Sequence, residues 1–321
     1  MLRRSKFKGL TISFAARSLL MVALVGGLAA QKSDETATFR TDTRLVVLPV
    51  TVVDKSGRLI TTLPESAFQV YENGVVQKVK QFKREDVPVS MGLVIDNSGS
   101  MRDKRQKVAA AAVALVKDSN KEDEAFVVNF NDDAYLDTPD FTNDIKVLDQ
   151  ALSRIDSRGG TAMRDAIRMS IDHMKQKAKK DKKVILVVTD GNDNASSVSL
   201  ETLVKQAQQS EVIVYAIGLL SEEEKREAKR AKRSLDLLTE ATGGQAYYPK
   251  ELADVERIAH QVAHDIRNQY TITYTPANQA LDGSFRQIKV VASGPGHPVA
   301  RTRTGYYATP DAVNVKANSF R

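Results

Sequence analysis

The sequence predicts a doubly wound, mostly parallel α/β sheet covered by helices, with flanking strands that form a small β-sandwich. Three observations predict it. From Val89 onward, short continuous apolar runs alternate with amphipathic stretches at helical spacing. Those runs lack the in–out alternation of a half-exposed strand, which suits strands covered on both faces of a parallel sheet. Before and after this region the pattern becomes short β-branched runs broken by turn signals, and each flank alone is too short to build a two-layer core.

In chain order, residues 1–30 have a basic start and an apolar run, Ser18 to Ala30, followed by Gln31. That layout predicts a secretory signal cleaved near Ala29 or Ala30, since the run is shorter than the roughly 20 residues a bilayer span needs. An exported protein, periplasmic or secreted, is expected; membrane contact is expected only if the signal is retained. A polar linker, 31–43, leads into a β segment, 44–87, whose strands are separated by "DKSG" and "ENG". The α/β region is placed at 88–268. Its strands read at "SMGLVID", "EAFVVNF", "KKVILVVTD" and "EVIVYAIGLL". Helical faces read at Val108, Ala112, Leu115 and Val116, at Ile145, Leu148, Leu152 and Ile155, and at Met163, Ala166, Ile167, Ser170 and Met174. The charged run Ser221 to Arg233 predicts a solvated helix with Glu222–Arg226 and Glu227–Arg230 pairs. A last stripe, Leu252, Val255, Ala259, Val262 and Ile266, closes the region. Strands resume over 269–308 and are expected to pair with 44–87, with the α/β region inserted between them and a tail at 309–321.

The formal charge of +7 carries little functional meaning. Five basic residues (Arg3, Arg4, Lys6, Lys8, Arg17) precede Ala30 with no acid among them, and removing those five charges leaves +2 for the rest. A nucleic-acid surface is therefore not expected. The chain has no cysteine, which excludes disulfides, thiolate metal sites and cysteine nucleophiles.

In an open α/β sheet, ligands bind beyond the carboxyl ends of the strands, where the winding reverses. Two predicted strands end there in aspartate: Asp96 in "VIDNSGSM" and Asp190 in "VVTDGNDN". Between them "SRGGTAMRDA" sets Thr161 on a glycine-flexed loop ahead of a helix. Asp96, Ser98, Ser100, Thr161 and Asp190 offer only oxygen. Such a donor set suits a hard cation, Mg²⁺ or Mn²⁺ before Ca²⁺, and not Zn²⁺. Three neutral hydroxyls leave that ion under-neutralised, so it seeks an outside carboxylate. Ser100 followed by Asp103 also fits a capping box for the helix at Lys104. Asp132, Asp133 and Asp193 are expected to be solvated loop residues.

"DNSGS", "GGT" and "TDG", in this order and each at a strand end or loop, resemble the metal-ion-dependent adhesion site of von Willebrand factor type A domains. The likeness covers about Val87 to Asn268. It implies a Rossmann-like sheet, hydroxyl ligation by Ser98, Ser100 and Thr161, and Asp96 and Asp190 bound directly or through water. It also implies a protein partner presenting an Asp or Glu carboxylate, with no catalytic residue. The flanks, "VVLPVTVVDKSGRLITTLPESAFQVYENGVVQKVKQF", "YTITYTP" and "RTGYY", are similar to bacterial secreted proteins related to that family.

Two rival readings remain at this stage. A hydrolase would need a nucleophile elbow, yet Asp96 stands two positions before Ser98 where G-x-S-x-G has glycine, and no histidine lies near the motif in sequence. There is no Walker loop and no G-x-G-x-x-G after the first strand. His260 and His264 have zinc-ligand spacing, but Gln261 replaces the catalytic glutamate of H-E-x-x-H, and both point away from the Leu252–Ile266 stripe. The other rival is a structural module whose cation only stabilises the fold.

Overall fold

The computed structural model describes residues 45–309 apart from 85, 119, 155, 156 and 222–224. The signal-type segment, the linker, Glu222 and the tail from 310 lie outside the described residues. The described residues all belong to one compact unit.

Four strands precede the α/β region: β1 (Val46–Val53), β2 (Phe68–Glu72), β3 (Val75–Gln77) and β4 (Val79–Arg84). The region itself runs β5 (Val89–Asp96), α1 (Arg105–Lys117), β6 (Glu124–Phe130), β7 (Ala134–Leu136), α2 (Ile145–Leu152), α3 (Met163–Lys177), β8 (Lys182–Thr189), α4 (Leu200–Ser210), β9 (Val212–Gly218), α5 (Lys225–Thr242), β10 (Ala246–Tyr247) and α6 (Asp254–Arg267). Four strands follow: β11 (Tyr270–Tyr274), β12 (Phe285–Ala292), β13 (Val299–Arg301) and β14 (Gly305–Tyr307).

The central sheet has the order β10-β9-β8-β5-β6-β7, parallel throughout except for the antiparallel β6–β7 pair. Every residue of β5 is buried, as the unbroken apolar run requires for a strand covered on both sides. Leu93 and Ile95 join the core under α1, α2 and α6, whereas Val94 joins Phe126 and Val187 in the core under α3, α4 and α5. The sheet is thus doubly wound. Leaving β5, the chain first builds outward through β6 and then crosses to β8 on the other side, so the winding reverses between β5 and β8. The carboxyl ends of these two neighbours flank the crevice where such sheets bind ligands.

Strands from both flanks interleave in two antiparallel sheets, β13-β1-β11-β4 and β14-β12-β2-β3. β1 pairs with β11 over Val46–Val50, and β2 with β12 over Phe68–Glu72. Neither flank makes a sheet without the other. Leu48, Val50, Val70, Ile272 and Tyr306 share their core, where Phe68 packs 4.9 Å from Tyr270 between ring centroids. Among the described residues no helix is long and apolar enough to cross a membrane.

The structure adds elements that periodicity did not mark: α4, and the short edge strands β7 and β10. It also extends the charged run into a longer helix, α5, which continues to Thr242 and buries Leu235 and Leu238. The Arg230–Glu227 pair forms at 3.3 Å on its exposed side.

Candidate metal centre

β5 delivers Asp96 to the crevice, and the chain then turns through Ser98 in extended conformation into a short 3-10 turn, Gly99–Met101. Met101 is fully buried and pins that turn to the core. The capping box is not formed: α1 starts at Arg105 with no side-chain cap. Ser100 Oγ instead donates to Asp190 Oδ1 across the crevice, at 2.8 Å. A tertiary partner has outcompeted the local one.

A chain of hydrogen bonds links four of the five expected residues. Asp96 Oδ2 accepts from Thr189 Oγ1 at 2.6 Å and Oδ1 from the Ser98 amide at 2.8 Å. The hydroxyls of Ser98 and Ser100 lie 3.2 Å apart. Lys104 Nζ holds Asp190 Oδ2 at 2.5 Å. The Asp96 side chain is completely buried, and that desolvation pushes its carboxyl up to about 6 against the hydrogen bonds from Ser98 and Thr189. The negative charge of Asp190 adds to the rise.

Thr161 arrives on the loop before α3. The loop docks on the turn after β5, with Arg158 N donating to Asn97 O at 3.2 Å and Gly99 N to Gly159 O at 3.4 Å. Gly159 has φ +72°, a left-handed conformation that favours glycine, and a Cβ there would sit 2.0 Å from Asp132 Oδ2, so the aspartate would have to give up its place. Asn194 then fixes the threonine: its Oδ1 accepts from the Thr161 amide at 2.8 Å, and its own amide donates to Thr161 O at 3.1 Å. The Thr161 hydroxyl faces the loop that follows Asp190, 3.6 Å from where a methyl on Gly191 would lie.

Asp96, Ser98, Thr161 and Asp190 are buried and Ser100 is exposed, so the cluster reaches solvent at Ser100. Its donors are all oxygen, two carboxylates and three hydroxyls, a composition that fits a hard divalent cation. Among the described residues no group of three or more His, Cys, Asp or Glu side chains is placed to hold a metal ion. Any cation site here therefore depends on hydroxyls.

Of the neighbouring acids, Asp193 has structural work in place of loop solvation, and Asp132 stays exposed while holding one loop amide. Asp193 accepts from the Arg164 amide at 2.7 Å and from its guanidinium at 2.9 Å, tying the loop after β8 to the start of α3. Asp132 accepts from the Gly160 amide at 2.7 Å, while Asp133 stays exposed. His260 is exposed on α6 and contacts Asp118, and His264 is exposed as well. Sequence reasoning missed Thr189, Lys104 and Asn194. Only Thr189, adjacent to Asp190, carried a local signal.

The chain carries a von Willebrand factor type A domain: the family model of that description matches residues 91–192. Among solved structures, the chain is similar to the PilB minor pilin from Streptococcus sanguinis, with 15% identity over 57% of this chain and 62% of the pilin and a TM-score of 0.46. It therefore spans less than two thirds of that pilin. The vWF domain of the type V pili tip protein Mfa5 from Porphyromonas gingivalis aligns at 15% identity over 56% of this chain and 97% of that domain, with a TM-score of 0.45. A von Willebrand factor type A protein from Catenulispora acidiphila aligns at 13% identity over 84% of this chain and 75% of its own, with a TM-score of 0.47. No curated protein matches the chain.

Proposed function

We propose that the von Willebrand factor type A domain of this chain is an exported, cation-dependent protein-binding module and not an enzyme. Asp96, Ser98, Ser100, Thr161 and Asp190 hold Mg²⁺ or Mn²⁺ in this reading, and the partner presents an Asp or Glu carboxylate. The observation that supports it is the Asp96–Ser98–Ser100–Asp190 hydrogen-bonded run at the point where the sheet winding reverses. When bound, the ion would supply two positive charges that Asp96 and Asp190 match in formal count, and the buried Arg105 beside Asp96 then leaves the cluster net positive toward an outside carboxylate. The chain does the rest. Thr189 and the Ser98 amide orient Asp96, Asn194 holds Thr161 in place, and the exposed Ser100 marks where an outside carboxylate reaches the cluster.

A hydrolase fits less well. His173 is packed between Phe126 and Phe141, at 4.6 and 5.3 Å, and His260 contacts Asp118 on another part of the surface, so neither is beside Ser98 or Ser100. Export rests on the signal-type sequence of residues 1–30.

The test is calorimetric titration of Mg²⁺ and Mn²⁺ into the metal-free protein, wild type and Asp96→Asn. Loss of roughly 100-fold or more in affinity is expected, since the variant removes the more buried of the two anionic donors. Equal affinity overturns the assignment. A partner retained equally with and without chelator in a pull-down favours a purely structural module.

A further inference from the structure

We infer that Lys104 is a built-in counter-ion that competes with a divalent cation for Asp190, so that cation entry requires the lysine to leave. The inference rests on the cation-binding reading above and deepens it.

Both oxygens of Asp190 are occupied from within the chain, Oδ1 by the Ser100 hydroxyl at 2.8 Å and Oδ2 by Lys104 Nζ at 2.5 Å. The carboxylate is 1% exposed and the lysine side chain 32%, so the ion pair is shielded at one end and open at the other. An ammonium in that position and a divalent ion bound to the same oxygen repel each other at short range in a poorly solvated pocket. A divalent ion that takes Oδ2 displaces the ammonium, and one that takes Oδ1 still meets its charge across the carboxylate.

The neighbouring residue sharpens the point. Arg105 is completely buried, with Nη2 donating to Asn129 Oδ1 at 2.5 Å, and its charge acts on Asp96. Asp96 and Asp190 are thereby matched by two cations, one locked in the core and one on a flexible stem. The Lys104 backbone is fixed, its amide donating to Met101 O at 2.9 Å. Its four methylenes nevertheless let the ammonium swing to solvent with no shift of α1. Only Lys104 can yield. A cluster that would otherwise carry two uncompensated buried carboxylates is thus kept neutral, and this lysine sets how tightly it takes a cation.

The experiment is calorimetric titration of MgCl₂ and MnCl₂ into the full chain, stripped with chelator, as wild type, Lys104→Met and Lys104→Gln. Circular dichroism confirms that each variant is folded, and the Gln variant stands in if Met is not. Both variants are expected to bind either cation at least about tenfold more tightly than wild type. In chelator they are expected to melt at a lower temperature than wild type, because Asp190 loses its partner. Unchanged or weaker affinity in a folded variant overturns the role of Lys104 while leaving the cation site standing. Binding by neither wild type nor variants overturns the cation reading and this inference with it.

Discussion

The two ends of the central sheet use the same polar chemistry for opposite purposes. At the amino end, where α4, α5 and α6 finish, the sheet meets the β-sandwich through fixed pairs. Arg303 reaches Glu211 at 3.2 Å, Gln208 reaches Thr304 at 3.2 Å, and Gln269 bridges Thr51 and Tyr215 at 3.0 and 3.3 Å. Each is a neutral or charged side chain held by a group from a rigid neighbouring element. Buried polar groups are costly unless paired, and here the Gln208 and Gln269 pairs tie two layers together, while the Glu211 side chain, 37% exposed, is held less firmly. At the carboxyl end the buried groups are two carboxylates and a set of hydroxyls, and the ammonium that contacts Asp190 sits on a mobile stem. The difference teaches that satisfaction alone does not identify a functional site. What separates the two ends is whether a partner can leave without moving backbone.

That contrast breaks most visibly at Gly243. This residue has φ +86°, and a Cβ on it would lie 2.6 Å from Arg303 N and 2.7 Å from Thr302 C, main-chain atoms of the sandwich segment that presses on the end of α5. Neither contact is relieved by rotating a side chain. Gly243→Ala is expected to destabilise by about 3 kcal/mol or more, combining overpacking with a left-handed alanine. Urea denaturation measures it. A loss below about 1 kcal/mol would mean the seam is pliable and the two ends differ less than their hydrogen bonds suggest.

The same contrast explains what could be read from the amino-acid order. The four long parallel strands were legible because their burial on both faces leaves an uninterrupted apolar run, as in β5 and β8. α4 does carry a short apolar face, Leu200, Leu203, Val204 and Ala207, which the reading of the strands passed over. The stripe ends there because the last turn buries polar groups, Gln208 and Ser210, and Gln208 bonds to Thr304 of the sandwich. β7 and β10, three and two residues long, are too short for any period to show. In the candidate site, the oxygen donors were visible as residue types at strand ends. Their supporting groups were not, since Asn194 lies 33 residues from Thr161, and Lys104 lies 86 residues from Asp190. The Ser100 and Asp103 pattern misled for the same reason, as a hydroxyl 90 residues from Asp190 in sequence found it in space.

A smaller effect comes from the face of the sheet away from either end. His173 is buried between Phe126 and Phe141, the latter ring stacked at 14°, and burial lowers its pKa below the usual histidine value, with Lys177 lowering it further and Asp140 opposing. The unfolded chain binds this proton more readily than the folded one. Stability from this group is therefore complete above about pH 6.5 and is lost as pH falls from there through the folded value. Asp96 acts with the opposite sign in metal-free protein. Its folded value near 6 lies above the unfolded 3.8, so its contribution is present below the lower value and lost as pH rises through the higher one. Comparing wild type with His173→Phe cancels the Asp96 part. The difference in melting temperature between the two proteins is expected to move against wild type between pH 7 and pH 5. A difference independent of pH would show that the imidazole is not penalised by its aromatic cage.

The smallest effect is expected at Gly191, and it is the one that tests the openness of the carboxyl end directly. A methyl here would lie 3.6 Å from Thr161 Oγ1, an ordinary contact, with no other atom close and no left-handed φ to relieve. The Gly191 amide keeps its 3.3 Å bond to Thr189 Oγ1 whatever the side chain. Replacing glycine by alanine at such a position also reduces the freedom of the unfolded chain, which favours folding by roughly 0.4–1 kcal/mol. Gly191→Ala in chelator is therefore expected to be neutral to slightly stabilising by urea denaturation, against the large loss at Gly243. The two glycines make the comparison controlled, because the substitution is the same and only the room around it differs. A loss above about 1 kcal/mol at Gly191 would place backbone-limited packing at the carboxyl end too. The lysine then could not be the only group that yields there.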